Sequence, residues 1–206
     1  MRDEKISAFL ERLADCVPAP GGGAVAALHA AQAAALLGMV ARYSTGERYA
    51  AHRPAINRII IETDELRCTA LQLAEDDAAA FTAVAGAYRL PKATADEKAA
   101  RSAAIATALI GAARPPAAVI GVARQVVGLA EELLPIGNRN VITDVAAATE
   151  AARAAAATAR INIEINLAGI ADGQVRAELS RVAQQVDAIS ARAEQVTCTV
   201  RKEITR

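Results

Sequence analysis

Alanine limits what this chain can fold into. It recurs in almost every segment, no stretch alternates apolar and polar residues for long, and alanine is the strongest helix former. The chain therefore reads as all-α. Aromatic residues make up only 2% of it and tryptophan is absent, so the core has to come from Ala, Leu, Ile and Val. Side chains this small let helix backbones approach closely. At 206 residues the chain suits one helical domain, residues 1–206, with a sizeable core.

Periodicity places the helices. Ile6, Phe9, Leu10 and Leu13 mark one face of a first helix, and Gly22 to about Tyr43 forms a second. A third runs from about Pro54 to Tyr88, with Ile56, Ile59, Ile60 and Leu66 on its apolar side. Thr94 and Glu97 make a capping box for a fourth, which Pro115-Pro116 should kink or divide before Pro135 stops it. A fifth begins at Thr143 or Asp144 and continues to about Ile170; Asp172 caps a sixth that reaches the C-terminus. Along this last helix Val175, Leu179, Val182, Val186, Ile189, Ala193, Val196 and Val200 alternate steps of four and three. That seam packs lengthwise on other long helices, within the chain or between subunits.

Charge and cysteine usage exclude several function classes. Lys plus Arg and Asp plus Glu are 23 each, which gives no net pull toward nucleic acid or an anionic membrane. Cys16, Cys68 and Cys198 are odd in number and lack paired metal-ligand spacing, as expected of reduced thiols in a cytoplasmic protein without a metal centre. Residues 1–15 are charged throughout and have no apolar signal region. The apolar run Ala24–Ala41 is interrupted by His29 and Gln32 and reads as a buried helix instead of a membrane span.

Two segments carry chemistry. Pro18-Ala19-Pro20-Gly21-Gly22-Gly23 leads directly into the second helix. Proline fixes φ, glycine admits a group close to the backbone, and the first helical amides lack intrahelical partners, so Pro20, Gly21, Gly22 and Gly23 can hold a polar ligand or simply punctuate two helices. Gly137-Asn138-Arg139-Asn140-Val141-Ile142-Thr143-Asp144 is the second, followed by Arg160-Ile161-Asn162-Ile163-Glu164-Ile165-Asn166-Leu167. Asn162 and Asn166, at i and i+4, share a helix face.

Together these segments resemble the cyclodeaminase/cyclohydrolase family of folate enzymes. The family pattern combines a Pro-x-Pro-Gly-Gly-Gly loop, a Gly-Asn-x-Asn-x-x-Ser-Asp loop and an Asn-x-x-x-Asn-Leu stretch. Asp76-Asp77-Ala78-Ala79-Ala80-Phe81, Tyr88-Arg89-Leu90-Pro91-Lys92 and Glu97-Lys98-Ala99-Ala100-Arg101 resemble further family signatures, so the likeness spans roughly residues 5–175. It departs at Gly46-Glu47-Arg48-Tyr49, where the family often shows a lysine cluster, and at Thr143, where serine is usual.

The resemblance implies a helical homodimer that hydrolyses 5,10-methenyltetrahydrofolate to 10-formyltetrahydrofolate or cyclises 5-formiminotetrahydrofolate with loss of ammonia. No cofactor is implied beyond the folate substrate. A positioned carboxylate would supply acid–base chemistry, with Asp144 the first candidate and Asp77 the second. Arg48, Asn138, Asn140, Thr143, Asn162 and Asn166 join Pro20 to Gly23 as expected substrate contacts. Asp144 at a helix start also serves as a dipole partner without any catalysis. The missing lysines leave open a relative repurposed for another cyclic iminium or amidine, or a helical binding module without catalysis. The two loops are expected to converge on one pocket, within a chain or across a subunit interface.

Overall fold

A computed structural model of the chain describes residues 1–205. Six helices account for most of it and no strand occurs among the described residues: α1 (Ile6–Ala14), α2 (Gly22–Arg42), α3 (Arg53–Tyr88), α4 (Ala95–Leu133), α5 (Ile142–Leu167) and α6 (Gly173–Ile204). Short 3₁₀ turns at Glu47–His52 and Arg139–Val141 precede α3 and α5.

The centre of the bundle is α2. It packs on α3, α4 and α5, while α4 and α5 both also pack on α6. Ala26, Ala27, Ala30, Ala33, Ala34 and Ala41 are fully buried on α2, as are Ala148, Ala152, Ala155, Ala156 and Ala159 on α5. With only a methyl group at these positions the neighbouring backbones come close, and the gain from each small side chain is multiplied by the number of such contacts. Close approach is tightest where α2 has no side chain at all. A Cβ added to Gly38 would lie 2.8 Å from Thr63 Oγ1 on α3, and that hydroxyl donates to the Ile59 carbonyl at 2.8 Å. Both α2 and α4 are long and apolar enough to cross a bilayer, yet most of α2 is covered by its neighbours in the bundle.

Most helix ends fall where the sequence places them. Thr94 Oγ1 accepts from the Glu97 amide at 3.1 Å and Glu97 Oε2 accepts from the Thr94 amide at 3.0 Å, completing the expected capping box. Asp172 Oδ1 accepts from the amides of Gln174 and Val175 at the start of α6. The α6 seam turns inward: Leu179, Val186, Ile189, Ala193, Val196 and Val200 are buried, against α4 and α5 of the same chain.

Three local expectations fail. Pro115 and Pro116 do not divide α4, which runs unbroken through both of them; the two rings are buried in the bundle, and packing on both sides holds the helix where its own ladder is interrupted. The fifth helix starts at Ile142, so Thr143 and Asp144 stand in its first turn and neither side chain caps it. On α1 only Phe9 is buried, whereas Ile6 and Leu10 lie exposed because no helix of the chain packs closely alongside them.

Overpacking tests the small-residue core. Ala155→Leu is expected to lower stability by about 1–3 kcal/mol in urea denaturation, because this fully buried methyl leaves no room for three further carbons.

Candidate active site

The first turn of α2 is built without side chains, and a carboxylate fills the space. A Cβ on Gly23 would lie 2.0 Å from Asp77 Oδ1, so only glycine lets the α3 carboxylate sit against this helix terminus. Burial pushes the Asp77 carboxyl above the usual carboxylate range, and the Ala24 backbone N–H, directed at the ionised form, pulls it partway back. Asp77 thus holds its proton more tightly than an exposed aspartate does. Its neighbour Asp76 is exposed and accepts from Gln72 Nε2 at 2.9 Å.

Asp77 borders a cavity of about 230 Å³. Pro18, Ala19 and Gly21 to Gly23 form one side, with the Ala19–Pro20 peptide in the cis form. Phe81 and Val84 from α3, Ala112 from α4 and Ile165 from α5 make the apolar walls, and Asn162 and Asn166 supply the polar groups opposite the glycines. A Cβ on Gly22 would stand only 3.7 Å from Asn162 Nδ2, so the asparagine faces the loop across van der Waals distance. Asn162 Nδ2 donates to the Thr158 carbonyl at 2.9 Å and Asn166 Nδ2 to the Asn162 carbonyl at 2.7 Å. These bonds hold both amides in place and leave both Oδ1 atoms without a protein donor among the described residues.

The cavity therefore unites Gly21, Gly22, Gly23, Asp77, Asn162 and Asn166, all expected from the sequence. Pro20 is buried under the loop and does not line it. Val84, Ala112 and Ile165 were not foreseen as site residues. Of these only Ile165, between the two asparagines, had a signal in the sequence.

The second loop is elsewhere. Asn138 Nδ2 donates to the Tyr43 carbonyl at 2.9 Å, and its backbone N–H donates to Ser44 Oγ at the same distance. Asn138 Oδ1 accepts from Arg48 Nη2 at 2.9 Å and from the Asn140 amide at 3.1 Å. Every polar group of the Asn138 side chain is thereby spent on joining this loop to the C-terminal end of α2. Arg48 also lies over the Tyr49 ring, 4.6 Å from its centroid. Gly22 and Tyr43 are separated by the full length of α2, about 30 Å. Within one chain the two loops therefore do not meet: Arg48, Asn138, Asn140, Thr143 and Asp144 stand at one end of α2, and the cavity at the other. Asp144 makes no hydrogen bond or ion pair among the described residues.

The sequence pattern of the family described as formiminotransferase-cyclodeaminase matches residues 5–185. The chain belongs to this family. It is 40% identical over 171 residues to methenyltetrahydrofolate cyclohydrolase of Methylorubrum extorquens, an alignment covering 82% of both chains. It is 33% identical to formimidoyltransferase-cyclodeaminase of Rattus norvegicus over 82% of this chain but only 32% of that longer protein. Among solved structures, formiminotetrahydrofolate cyclodeaminase from Thermotoga maritima superimposes with a TM-score of 0.87 at 28% identity, covering 100% of this chain and 99% of that one.

For this family member two substitutions test the geometry of the cavity. Gly23→Ala must push the Asp77 carboxylate off the α2 terminus; a displacement of this kind is expected to cost about 100-fold in kcat/KM with helix content unchanged by circular dichroism. Asp77→Asn separates function from stability. A carboxyl whose pKa is raised by folding imposes no penalty below its unfolded pKa; the penalty grows as pH rises toward the folded value and is complete above it. The variant should therefore melt at or above the parent temperature at pH 7, and the difference should vanish in acid.

Proposed function

We propose that this chain is a folate one-carbon enzyme of the cytoplasm that hydrolyses 5,10-methenyltetrahydrofolate to 10-formyltetrahydrofolate, with Asp77 as the proton-transferring group. The observation that carries the reading is the desolvated Asp77 carboxyl held against the glycine turn, facing two asparagines whose carbonyl oxygens are free, in a chain of this family. The cyclohydrolase relative matches most of its own length, whereas the cyclodeaminase of the rat shares only a third of its chain with this one. The identity to that cyclohydrolase, 40%, also exceeds the 28% to the cyclodeaminase of Thermotoga maritima, which matches over its full length too, and this favours hydrolysis over ring closure with ammonia release.

The chemistry asks for what the cavity offers. The amidine carbon of the substrate is cationic, so a carboxylate beside it stabilises the bound charge in a poorly hydrated site. Water adds its oxygen to that carbon while Asp77 takes the proton released. The neutral adduct then gives up its hydroxyl proton as the bond to N5 breaks and N5 takes up a proton. The formyl group remains on N10, and one proton is released overall. A carboxyl with a raised pKa suits both directions of transfer, since it gains a proton more readily than an ordinary aspartate and can still return it. Asn162 and Asn166 Oδ1 accept from N–H groups on the pterin, and Phe81 and Ile165 cover its ring.

Purified protein is expected to consume 5,10-methenyltetrahydrofolate faster than buffer does, followed by absorbance, with Asp77→Asn losing about 100-fold or more in kcat/KM. Release of ammonia from 5-formiminotetrahydrofolate, with no acceleration of the first reaction, would assign the cyclodeaminase reaction instead. Turnover of neither would favour a repurposed relative, in keeping with Glu47 and Arg48 where lysines are usual.

A further inference from the structure

Two of the segments that mark this chain in sequence, Tyr88-Arg89-Leu90-Pro91-Lys92 and Glu97-Lys98-Ala99-Ala100-Arg101, contribute nothing to the lining of the cavity. They close an arm. Asp77 stands beside the start of α2, so α3 from Ala78 to Tyr88 runs past that helix for a further distance of about 16 Å. On the returning helix the bundle begins at Leu109, where the turn after α5 lies against α4 and Gly169 leaves room for the leucine. Residues 78–108 therefore form a two-helix projection with almost no core: Ala87 is the one buried residue in it. Its facing positions include Ala83, Gly86, Ala103 and Ala104, whose small side chains bury little apolar area, so packing holds this part of the fold weakly.

A polar tie fastens the free end. Arg101, in the second turn of α4, donates to the Tyr88 carbonyl from Nε at 3.3 Å and from Nη2 at 3.1 Å. Its guanidinium carbon also lies 5.5 Å from the centroid of the Tyr88 ring. Tyr88 is the last residue of α3, and its carbonyl needs a donor from outside the helix. The residue three further on is Pro91, which has no amide to offer. A cation at this position also answers the negative end of the helix. The capping box of Thr94 and Glu97 fixes the start of α4, so the arginine projects from a set position.

Phe81 and Val84 sit between two fastenings. They follow Asp77 by four and seven residues, on the same face of α3, and both wall the cavity. Asp77 is held against Gly23 at one end of this stretch, and Arg101 holds Tyr88 at the other. We propose that Arg101 is a positioning residue for the site: by tying the end of α3 to α4, it keeps Phe81 and Val84 at the distance from Asp77 that a flat bound ring requires. Arg101 itself does not line the cavity. Without the tie the last turns of α3 fray and the two apolar walls shift, while Asp77, Asn162 and Asn166 keep their places because the bundle anchors them. Contacts of Phe81 and Val84 with a ring are the same before and during reaction, so their loss raises KM and spares kcat. The positioning role rests on the folate reading of the cavity; the tie itself does not.

Hydrogen exchange and kinetics on the full chain test it together. In Arg101→Ala the amides of residues 81–88 are expected to exchange at least about tenfold faster, the effect of losing a hydrogen bond from a charged donor, with α2 and α5 unchanged. With 5,10-methenyltetrahydrofolate the same variant should show KM raised about tenfold and kcat within about twofold of the parent. Arg101→Lys keeps the charge and a donor and should recover part of both losses; if the alanine variant does not fold, Arg101→Gln takes its place in the comparison. Unchanged exchange and KM overturn the proposal. So does faster exchange throughout α2 and α5, which would mean a general loss of stability, or a fall in kcat at constant KM, which would put Arg101 in the chemistry. Faster exchange confined to residues 81–88 in a chain whose parent turns over neither folate would leave the tie standing and remove the folate reading; turnover with exchange and KM unchanged would do the reverse.

Discussion

Everything in this bundle is positioned by the close approach that the alanines and glycines of α2 permit. Because that helix is buried by methyl groups, α3, α4 and α5 lie near enough to it for the short side chains Asp77 and Asn162 to reach its first turn. Larger core residues would push the flanking helices outward and leave the same carboxylate in open solvent. In this fold, core packing and site construction are one process, and the helix that anchors the core also anchors the chemistry.

The glycine turn does two things at once. It removes the steric barrier to a buried carboxylate, and it offers backbone amides at a terminus where negative charge is favoured. Against these stands desolvation, which wins and leaves Asp77 with a stronger hold on its proton than an exposed aspartate. A group balanced this way costs stability, and such sites are where a fold gives up local stability for function.

The helices were legible because their signals are local. Caps such as Thr94 with Glu97 and Asp172 act within a few residues, and the α6 seam stands out because polar residues separate its apolar positions. The buried face of α2 could not be seen in the sequence, since nearly every residue from Ala24 to Ala41 is apolar and no face stands out from the others. The passage of α4 through Pro115-Pro116 depends on tertiary burial, which outweighs the local preference of proline. The site was half legible. Gly21 to Gly23, Asp77, Asn162 and Asn166 do meet, whereas the Asn138–Asp144 loop shares a motif set with them but not an end of the helix, because motif order along a chain carries no information on distance across it.

The two bare positions on α2 also fix a register. Gly38 receives Thr63 and Gly23 receives Asp77, so α3 is pinned to α2 at two points about four turns apart, spaced almost equally on both helices. Like a key with two teeth, α3 fits only one alignment. Between those points the chain has no freedom to gain or lose a residue: a single insertion between Thr63 and Asp77 would swing the carboxylate about 100° around its helix, away from the glycine turn, even though every apolar contact before it could re-form. Evolution can therefore vary the loops of this bundle in length, but the segment of α3 between those two residues can change only by substitution.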